Sequence, residues 1–281
     1  MEPRALKGIV NLPEGERYGV IAEGMQLLVQ HVRALSLSSE ILRKASQETS
    51  AAVLDAFARE EASKVLILLD MARHGWREHE NIGRLIANFS NHIGRGVYIE
   101  ASSMNPGTFS ELQRFVQNLL PSHFLDGPND IDWIFRNRIE SEREEALYVD
   151  YIKDEDGHRW ISPDHKRPGY PGRYQNVETV FAMDNLGLLS ELGMQKTSDA
   201  WADTQNYSDL GWPDNRSRNH EVLKKLWEAS AFKGDTSESD FSFVLERWTF
   251  PMGTLNLRKK PVKTRELDLE RTSQSQSEDY R

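Results

Sequence analysis

Apolar residues recur every three or four positions across the first half of the chain, the spacing of one face of an α-helix. This pattern predicts helices over residues 14–37, 47–74, 78–102 and 108–120, a short turn over 40–45, and a fifth helix from about residue 129 to 150. Gly75 and the sequence Asn105-Pro106-Gly107 mark two of the stops. Strand periodicity is weak everywhere, so we predict an all-α fold, an antiparallel helical bundle with additional C-terminal helices.

The character of the chain changes after residue 150. Residues 151–175 are polar and contain three Pro and three Gly, which predicts a long loop with a short hairpin turning at Asp156-Gly157. Helical pattern returns over 177–192 and 219–231, with an apolar patch at 241–248. We therefore divide the chain into a bundle (14–150), a long loop (151–175), a C-terminal helical extension (176–250) and a disordered tail (257–281).

Composition narrows the possible chemistry. The chain has 281 residues, a net charge of −9 and no cysteine, which excludes disulfides, thiolate catalysis and Cys-ligated zinc. A bulk negative charge does not attract nucleic acid, so any such contact needs a local basic patch. No P-loop, dinucleotide fingerprint or zinc-protease motif is present. We expect no cofactor and no metal. With neither a signal peptide nor a membrane span in the sequence, we expect a cytoplasmic protein.

The helix over 47–74 has a carboxylate in its apolar stripe. Glu61 falls within about 40° of five apolar side chains when residues are placed at 100° intervals. These are Leu54, Phe57, Val65, Leu68 and Ala72. An unpaired carboxylate in the core costs several kcal/mol, so we predict a cation partner. Arg143 lies beside the apolar stripe of the fifth helix, and we propose a cross-helix pair Glu61–Arg143. Glu60 and Lys64 are expected to form an i,i+4 pair on the solvated face.

Basic side chains flank the stripe of the third helix. Arg84, Asn88, His92 and Arg95 are spaced so that they share one side of a continuous helix. One interpretation makes His92 an interface residue with one hydrogen bond. The other makes these residues a phosphate-facing group, since arginine forks hold phosphate oxygens and histidine can transfer a proton.

Two further groups leave alternatives open. Arg136, Arg138 and Arg143 could form an RNA-facing group with His92, although four acids interleave with them. Trp160 is expected to anchor the long loop (151–175) over the end of the bundle. His158 and His165 lie there among aspartates, but their spacing has no specific metal-binding signature.

Three segments resemble the AbiV abortive-infection proteins, a branch of the HEPN superfamily. Residues 59–64 (REEASK) are similar to an EE-x-x-K helix of that family. Ser90-Asn91-His92 with Arg95 resembles its histidine-containing segment. The most specific match is residues 146–151 (ALYVDY) followed by Trp160 and Pro163, which includes Tyr148 and Asp150. The resemblance covers about residues 15–165.

The resemblance implies a HEPN-like helical bundle that acts in prokaryotic phage defence. Many HEPN proteins are dimeric, metal-independent ribonucleases with an Arg-x(4–6)-His motif; here seven residues separate Arg84 from His92. We expect a defence effector that arrests growth or translation by contact with a partner or RNA. The alternatives are a ribonuclease toxin with His92, Arg95, Arg84 and Arg143 as catalytic residues, and a non-catalytic scaffold. Glu60, Glu61, Lys64, Tyr148 and Asp150 are expected to organise the site.

Expected partners follow from the same resemblance. We expect a homodimer, with RNA or the translation machinery as target and a phage protein as activator. No membrane partner is expected.

Overall fold

The computed structural model describes residues 5–76, 79–124, 135–154, 157–163, 174–204, 206–234 and 236–260. Over these ranges the fold is mostly helical, as predicted. The helices are α1 (Glu14–Lys44), α2 (Glu48–Arg73), α3 (His79–Ser90), α4 (His92–Ser102), α5 (Phe109–Leu119), α6 (Arg138–Leu147), α7 (Gln175–Asn185), α8 (Glu191–Ala200), α9 (Trp212–Glu228) and α10 (Glu238–Arg247). Short 3-10 helices span Ala5–Asn11 and Tyr207–Asp209. Two small antiparallel pairs join β1 (Ser122–Phe124) to β2 (Phe135–Asn137), and β3 (Asp150–Asp154) to β4 (Gly157–Ile161).

Helix α2 lies at the centre of the molecule. It packs lengthwise against α1 after a tight turn at Ser46, where φ is 58°. Its other faces contact α3, α4, α6, α7 and α8. Nearly every side chain in its C-terminal half is therefore buried. In a helix surrounded in this way, apolar residues no longer mark a single face. The apolar stripe therefore does not show whether Glu60 or Glu61 faces the neighbouring helices.

The predicted third helix is interrupted at Asn91. The Asn91 side chain accepts hydrogen bonds from the backbone N–H groups of Ile93 (2.8 Å) and Gly94 (3.3 Å), so Asn91 begins a new helix, α4. At Gly94 the chain passes so close to Asn88 that a Cβ atom would lie 2.8 Å from its Cα. The axes of α3 and α4 therefore differ, and residues 84 and 88 do not share a face with 92 and 95.

The C-terminal helices pack on the same hydrophobic core as the bundle. Helix α7 contacts α2, α8 contacts both α1 and α2, and α9 and α10 close the outer side. The predicted helix over 177–192 is in fact α7 followed by a turn at Gly187 (φ 74°) and the start of α8. Helix α9 begins at Trp212, earlier than the predicted residue 219.

An extended strap follows α10 and crosses the core. It runs from Trp248 to Lys260, and its Leu257 side chain is buried. The Lys260 backbone N–H donates to the Leu120 carbonyl at 3.0 Å. The segment predicted as a tail from residue 257 is thus packed as far as residue 260, because apolar side chains in the strap complete the core; residues 261–281 lie outside the described ranges.

The predicted hairpin in the polar segment is formed by β3 and β4. Tyr151 pairs with Trp160 and Asp154 with Gly157. The rest of the predicted loop, residues 164–173 with His165, lies outside the described part. None of the described helices is both long and apolar enough to cross a membrane.

Candidate functional site

Glu60 is the centre of a charged cluster contributed by three helices. Its Oε2 atom lies 2.8 Å from Arg95 Nη2 and 3.0 Å from His92 Nδ1, both on α4. Its Oε1 atom accepts a hydrogen bond from Arg143 Nε on α6 at 2.8 Å. The Glu60 side chain is only 13% exposed, whereas that of His92 is 49% exposed. The cluster therefore has a buried acidic centre and an accessible imidazole.

Two asparagine caps fix the helices that bring these side chains together. Asn91 sets the start of α4, so His92 and Arg95 lie one turn apart and both reach Glu60. Buried Asn137 caps α6: it accepts from the Ile139 N–H (3.0 Å) and donates to three carbonyls at the end of α5. Helices α4 and α6 approach closely at Gly96, where a Cβ atom would lie 2.1 Å from Ile139.

The cations keep Glu60 ionised. Burial raises the pKa of Glu60, but the Arg95 and Arg143 guanidiniums outweigh burial and leave the pKa below its usual value. The pKa of His92 is also lowered, first by desolvation and then by Arg95 and Arg143, against the opposing pull of Glu60. His92 is therefore neutral at pH 7, the form in which an imidazole can accept a proton.

His92 Nδ1 lies near two competing groups, Glu60 Oε2 and, at 2.7 Å, Arg95 Nη2. One nitrogen serves only one of these contacts. Arg95 already has acceptors in Glu60 and in the Phe89 carbonyl (3.1 Å), so we assign the Nδ1 proton to the bond with Glu60. That tautomer leaves a lone pair on Nε2, which lies 3.5 Å from Arg95 Nη2.

A cavity of about 200 Å³ opens beside the cluster. Glu60, His92 and Arg143 line it together with Arg59, whose guanidinium lies over the Tyr174 ring at 4.6 Å and 3.9 Å from Glu100. Glu100 and Tyr174 line the cavity as well, and the remaining wall is made of small or aliphatic side chains. These are Ala52, Ala56, Gly96, Ile99, Ile139 and Ala146. The cavity thus combines two arginines, two carboxylates and an imidazole with space for a small polar group.

The predicted partners of the two adjacent glutamates are wrong. Glu61 does not meet Arg143; its Oε1 accepts from Lys64 Nζ at 2.5 Å. The predicted Glu60–Lys64 pair does not form, because Glu60 turns toward α4 and α6 instead. The physical cause is the central position of α2, since the stripe used to orient the helix includes Phe57, which is exposed.

Arg84 lies away from His92. It pairs with Glu80 and donates to Asn81 (2.9 Å) and to the Thr254 carbonyl of the strap (3.2 Å). The break at Asn91 removes it from the face shared by His92 and Arg95. Of the four residues predicted to be catalytic, His92, Arg95 and Arg143 come together and Arg84 does not.

The remaining predicted site residues lie in the chain just after α6. Tyr148 follows α6 and is exposed, and Asp150 begins β3 and accepts from the Tyr151 N–H at 2.8 Å. Neither lines the cavity. The side chains of Arg136 and Arg138 lie outside the described part. No group of metal-ligating side chains occurs among the described residues.

Sequence reasoning missed a second charged cluster further along α2. Asp70 accepts hydrogen bonds from Tyr98 Oη (2.7 Å), from the Met252 N–H (2.9 Å) and from Arg73 (3.2 Å). Arg73 also donates to the Thr249 carbonyl at 2.7 Å. The available signal was the Asp-x-x-Arg spacing inside an apolar run, because a buried charge needs a charged or hydrogen-bonding partner nearby.

Comparisons with known proteins assign the family. The AbiV model of the HEPN superfamily matches residues 20–167, which is more than half of the chain. The chain therefore belongs to the AbiV family, whose HEPN domain implies abortive-infection defence against phage. No curated protein and no solved structure matched the chain. The family match includes α2, α4 and α6, and so it contains every residue of the Glu60 cluster.

Proposed function

We propose that this protein carries out abortive infection by cutting RNA at the Glu60 cluster without a metal. The observation that supports this most directly is the His92–Glu60 contact at the mouth of the cavity. A carboxylate that holds one imidazole nitrogen leaves the other available as a general base, the same division of roles as in hydrolase triads.

The reaction uses the RNA 2′-hydroxyl as nucleophile. His92 Nε2 takes the 2′-OH proton, the 2′-oxygen bonds to the adjacent phosphorus, and the bond from phosphorus to the 5′-oxygen breaks. Solvent at the open side supplies a proton to the leaving 5′-oxygen. The products are a 2′,3′-cyclic phosphate and a 5′-hydroxyl.

The arginines supply phosphate binding in this proposal. Arg143 and Arg59 line the cavity, and the contact of Arg143 with Glu60 is made through its Nε atom. A planar guanidinium matches phosphate oxygens in pairs, and in a partly buried site it stabilises the charge that develops on them. Arg95, nearly buried, holds Glu60 in place.

The test is cleavage of purified RNA in EDTA. Wild-type protein is expected to cut and His92→Ala to lose at least about 100-fold in rate, the usual contribution of a general base. His79→Ala, a change at an exposed histidine of α3, is the matched control and should cut normally. Added imidazole should partly restore His92→Ala. Equal rates for wild type and His92→Ala would contradict the proposal.

A second candidate function is arrest by binding alone. Tyr148, Val149, Tyr151 and Trp160 are exposed together around β3 and β4, and Tyr151 packs on Trp160 with ring centroids 5.1 Å apart. Exposed apolar groups of this kind mark partner surfaces. The translation machinery or a phage protein is the partner in this case. Intact RNA in EDTA, together with growth arrest that is lost in Trp160→Ala but kept in His92→Ala, would favour binding.

A further inference from the structure

Three aromatic rings share one face of the hairpin formed by β3 and β4. Tyr151 is directly opposite Trp160 in the strand register, and His158 lies two residues before Trp160 on the same strand. Because side chains two residues apart on a strand lie on the same face, this register brings the three rings together. The Tyr151 ring centroid is 5.1 Å from that of Trp160 and 5.9 Å from that of His158. We name these three residues the aromatic face.

The aromatic face is open to solvent. Trp160 is 68% exposed and Tyr151 53%, and His158 is exposed as well. Within the part of the chain that the structure describes, β3 and β4 pack mainly on each other. A cross-strand ring pair does stabilise a hairpin, but a pair of β-branched residues would serve that purpose without leaving a tryptophan in water. Exposed rings of this kind are surfaces on which unpaired nucleic-acid bases stack.

A short piece of chain joins the aromatic face to the Glu60 cluster. Arg143 and Ala146 of α6 line the cavity, and the helix ends at Leu147. Tyr151 follows Ala146 by five residues, which limits the distance between their Cα atoms to about 18 Å. A phosphate held in the cavity and a base stacked on the aromatic face can therefore belong to one short stretch of a single strand.

Charged and aromatic groups are divided between these two places as a single strand requires. The chain has a net charge of −9, so nucleic acid is not attracted to the molecule as a whole. The cations that can meet a phosphate, Arg59 and Arg143, line the cavity. Asp150 precedes Tyr151 and falls on the opposite face of the hairpin, because neighbouring residues of a strand alternate. The cavity thus supplies phosphate binding and the aromatic face supplies stacking, the two components of single-strand recognition.

We propose that the aromatic face is a binding subsite for single-stranded RNA, on which one or two unpaired bases near the cleaved phosphate stack. This inference rests on the proposed function for the position of that phosphate. Stacking tolerates any sequence because every base has a π-face, so the subsite selects for unpaired RNA and not for a particular base. Bases inside a duplex are stacked on their neighbours and do not reach the face.

Binding of an RNA that cannot be cut tests the subsite separately from the chemistry. The probe is a fluorescent single strand of about 12 nucleotides with 2′-O-methyl groups throughout, which removes the nucleophile of the proposed reaction. Trp160→Ala is expected to raise Kd by about 5- to 150-fold, the loss of one stacked base. Trp227→Ala is the matched control, because Trp227 of α9 is 67% exposed, and it should bind like wild type.

Two further variants separate the ring from the folding of the hairpin. Trp160→Thr keeps a residue that favours strands but removes the ring, so it should bind as weakly as Trp160→Ala. Tyr151→Phe keeps the ring and should bind like wild type. Wild-type affinity in Trp160→Thr, or in Trp160→Ala, would overturn the proposal. A Tyr151→Phe variant as weak as Trp160→Ala would also overturn it, because the contact would then be made by the hydroxyl.

A duplex and a growth assay exclude the other occupants. The same probe annealed to its complement should bind more weakly, and a duplex that binds as tightly as the single strand would contradict stacking. Growth arrest that is lost in Trp160→Ala while Kd for the probe stays unchanged would assign the aromatic face to a protein partner. Failure of the ribonuclease itself has a different signature. Equal cleavage by wild type and His92→Ala contradicts the reaction, whereas weaker probe binding by Trp160→Ala would still support RNA on the aromatic face.

Discussion

Two acid-centred clusters lie ten residues apart on α2 and have similar parts but different access. Glu60 contacts Arg95, Arg143 and the His92 imidazole. Asp70 contacts Arg73 and the Tyr98 hydroxyl. Around Asp70 the remaining space is about 20 Å³, and every partner belongs to the packed core. Around Glu60 the space is about 200 Å³, and His92 faces solvent. Access, not residue type, separates a structural ion pair from a candidate site.

The pKa directions reflect the same difference. Burial raises the pKa of Asp70 even with Arg73 beside it, while Arg95 and Arg143 bring the pKa of Glu60 below its usual value. A fully buried acid is held by its neighbours at a net electrostatic cost. A partly buried acid with three cationic or polar partners stays ionised and can orient a histidine.

The largest expected effect is at the buried cluster. Arg73→Ala leaves the Asp70 carboxylate without its cation and removes the link to the Thr249 carbonyl. We expect it to lower the free energy of unfolding by about 3–5 kcal/mol. Urea unfolding followed by circular dichroism measures this. A loss below about 1 kcal/mol would mean that this cluster is no more structural than the Glu60 cluster.

The next effect is acid sensitivity from His74, adjacent to the buried cluster. Burial and Arg73 lower the pKa of His74 to about 3, so the unfolded chain binds its proton first as the pH falls. Above pH ~6.5 the histidine is neutral in both the folded and the unfolded state, so it does not affect the free energy of unfolding. Between pH ~6.5 and 3 only the unfolded state is protonated, and the free energy of unfolding falls by up to about 1.4 kcal/mol per pH unit. His74→Gln should flatten the dependence. The same change at the exposed His79, His79→Gln, should leave the slope of the free energy of unfolding against pH unaltered.

A smaller effect is coupling between the glutamates and Arg143. A double-mutant cycle of Glu60→Gln with Arg143→Ala should show about 1–3 kcal/mol of interaction. Glu61→Gln with Arg143→Ala should be additive within about 0.5 kcal/mol. Coupling of Arg143 to Glu61 but not to Glu60 would support the partner predicted from the sequence. It would also show that Glu60 is not the centre of the site.

The smallest effect on stability is expected at His92. Because its side chain is half exposed, His92→Ala should change the free energy of unfolding by no more than about 0.5 kcal/mol. In the same preparation RNA cleavage should be lost. A strongly destabilised His92→Ala would make the imidazole a structural residue and would weaken the contrast with the Asp70 cluster.

Local sequence patterns predict much of the fold. The long apolar period of α2, the stop at residues 105–107 and the turn before Gly157 are local, and the structure places helices and a hairpin accordingly. The break at Asn91 was missed because the apolar stripe continues through it, although Ser90-Asn91 is a helix-capping signal. The packed strap was missed because its burial depends on distant partners.

Much of the candidate site was also within reach of the sequence. His92, Arg95 and Arg143 were selected from charged residues beside apolar stripes, and they do meet. The choice of Glu61 over Glu60 failed since helical periodicity locates an apolar face only where a helix has a solvent side. No local pattern reports that α2 is enclosed by later helices.

The strap from Trp248 to Lys260 has a consequence for how the protein is made. Ribosomes extend a chain from its amino end, so the amide of Met252 and the carbonyl of Thr249 emerge long after Asp70 and Arg73, which need them. A nascent chain therefore carries α2 with its polar pair uncovered until the strap has been synthesised. The buried pair on α2 thus receives its last hydrogen bonds only after the strap has left the ribosome.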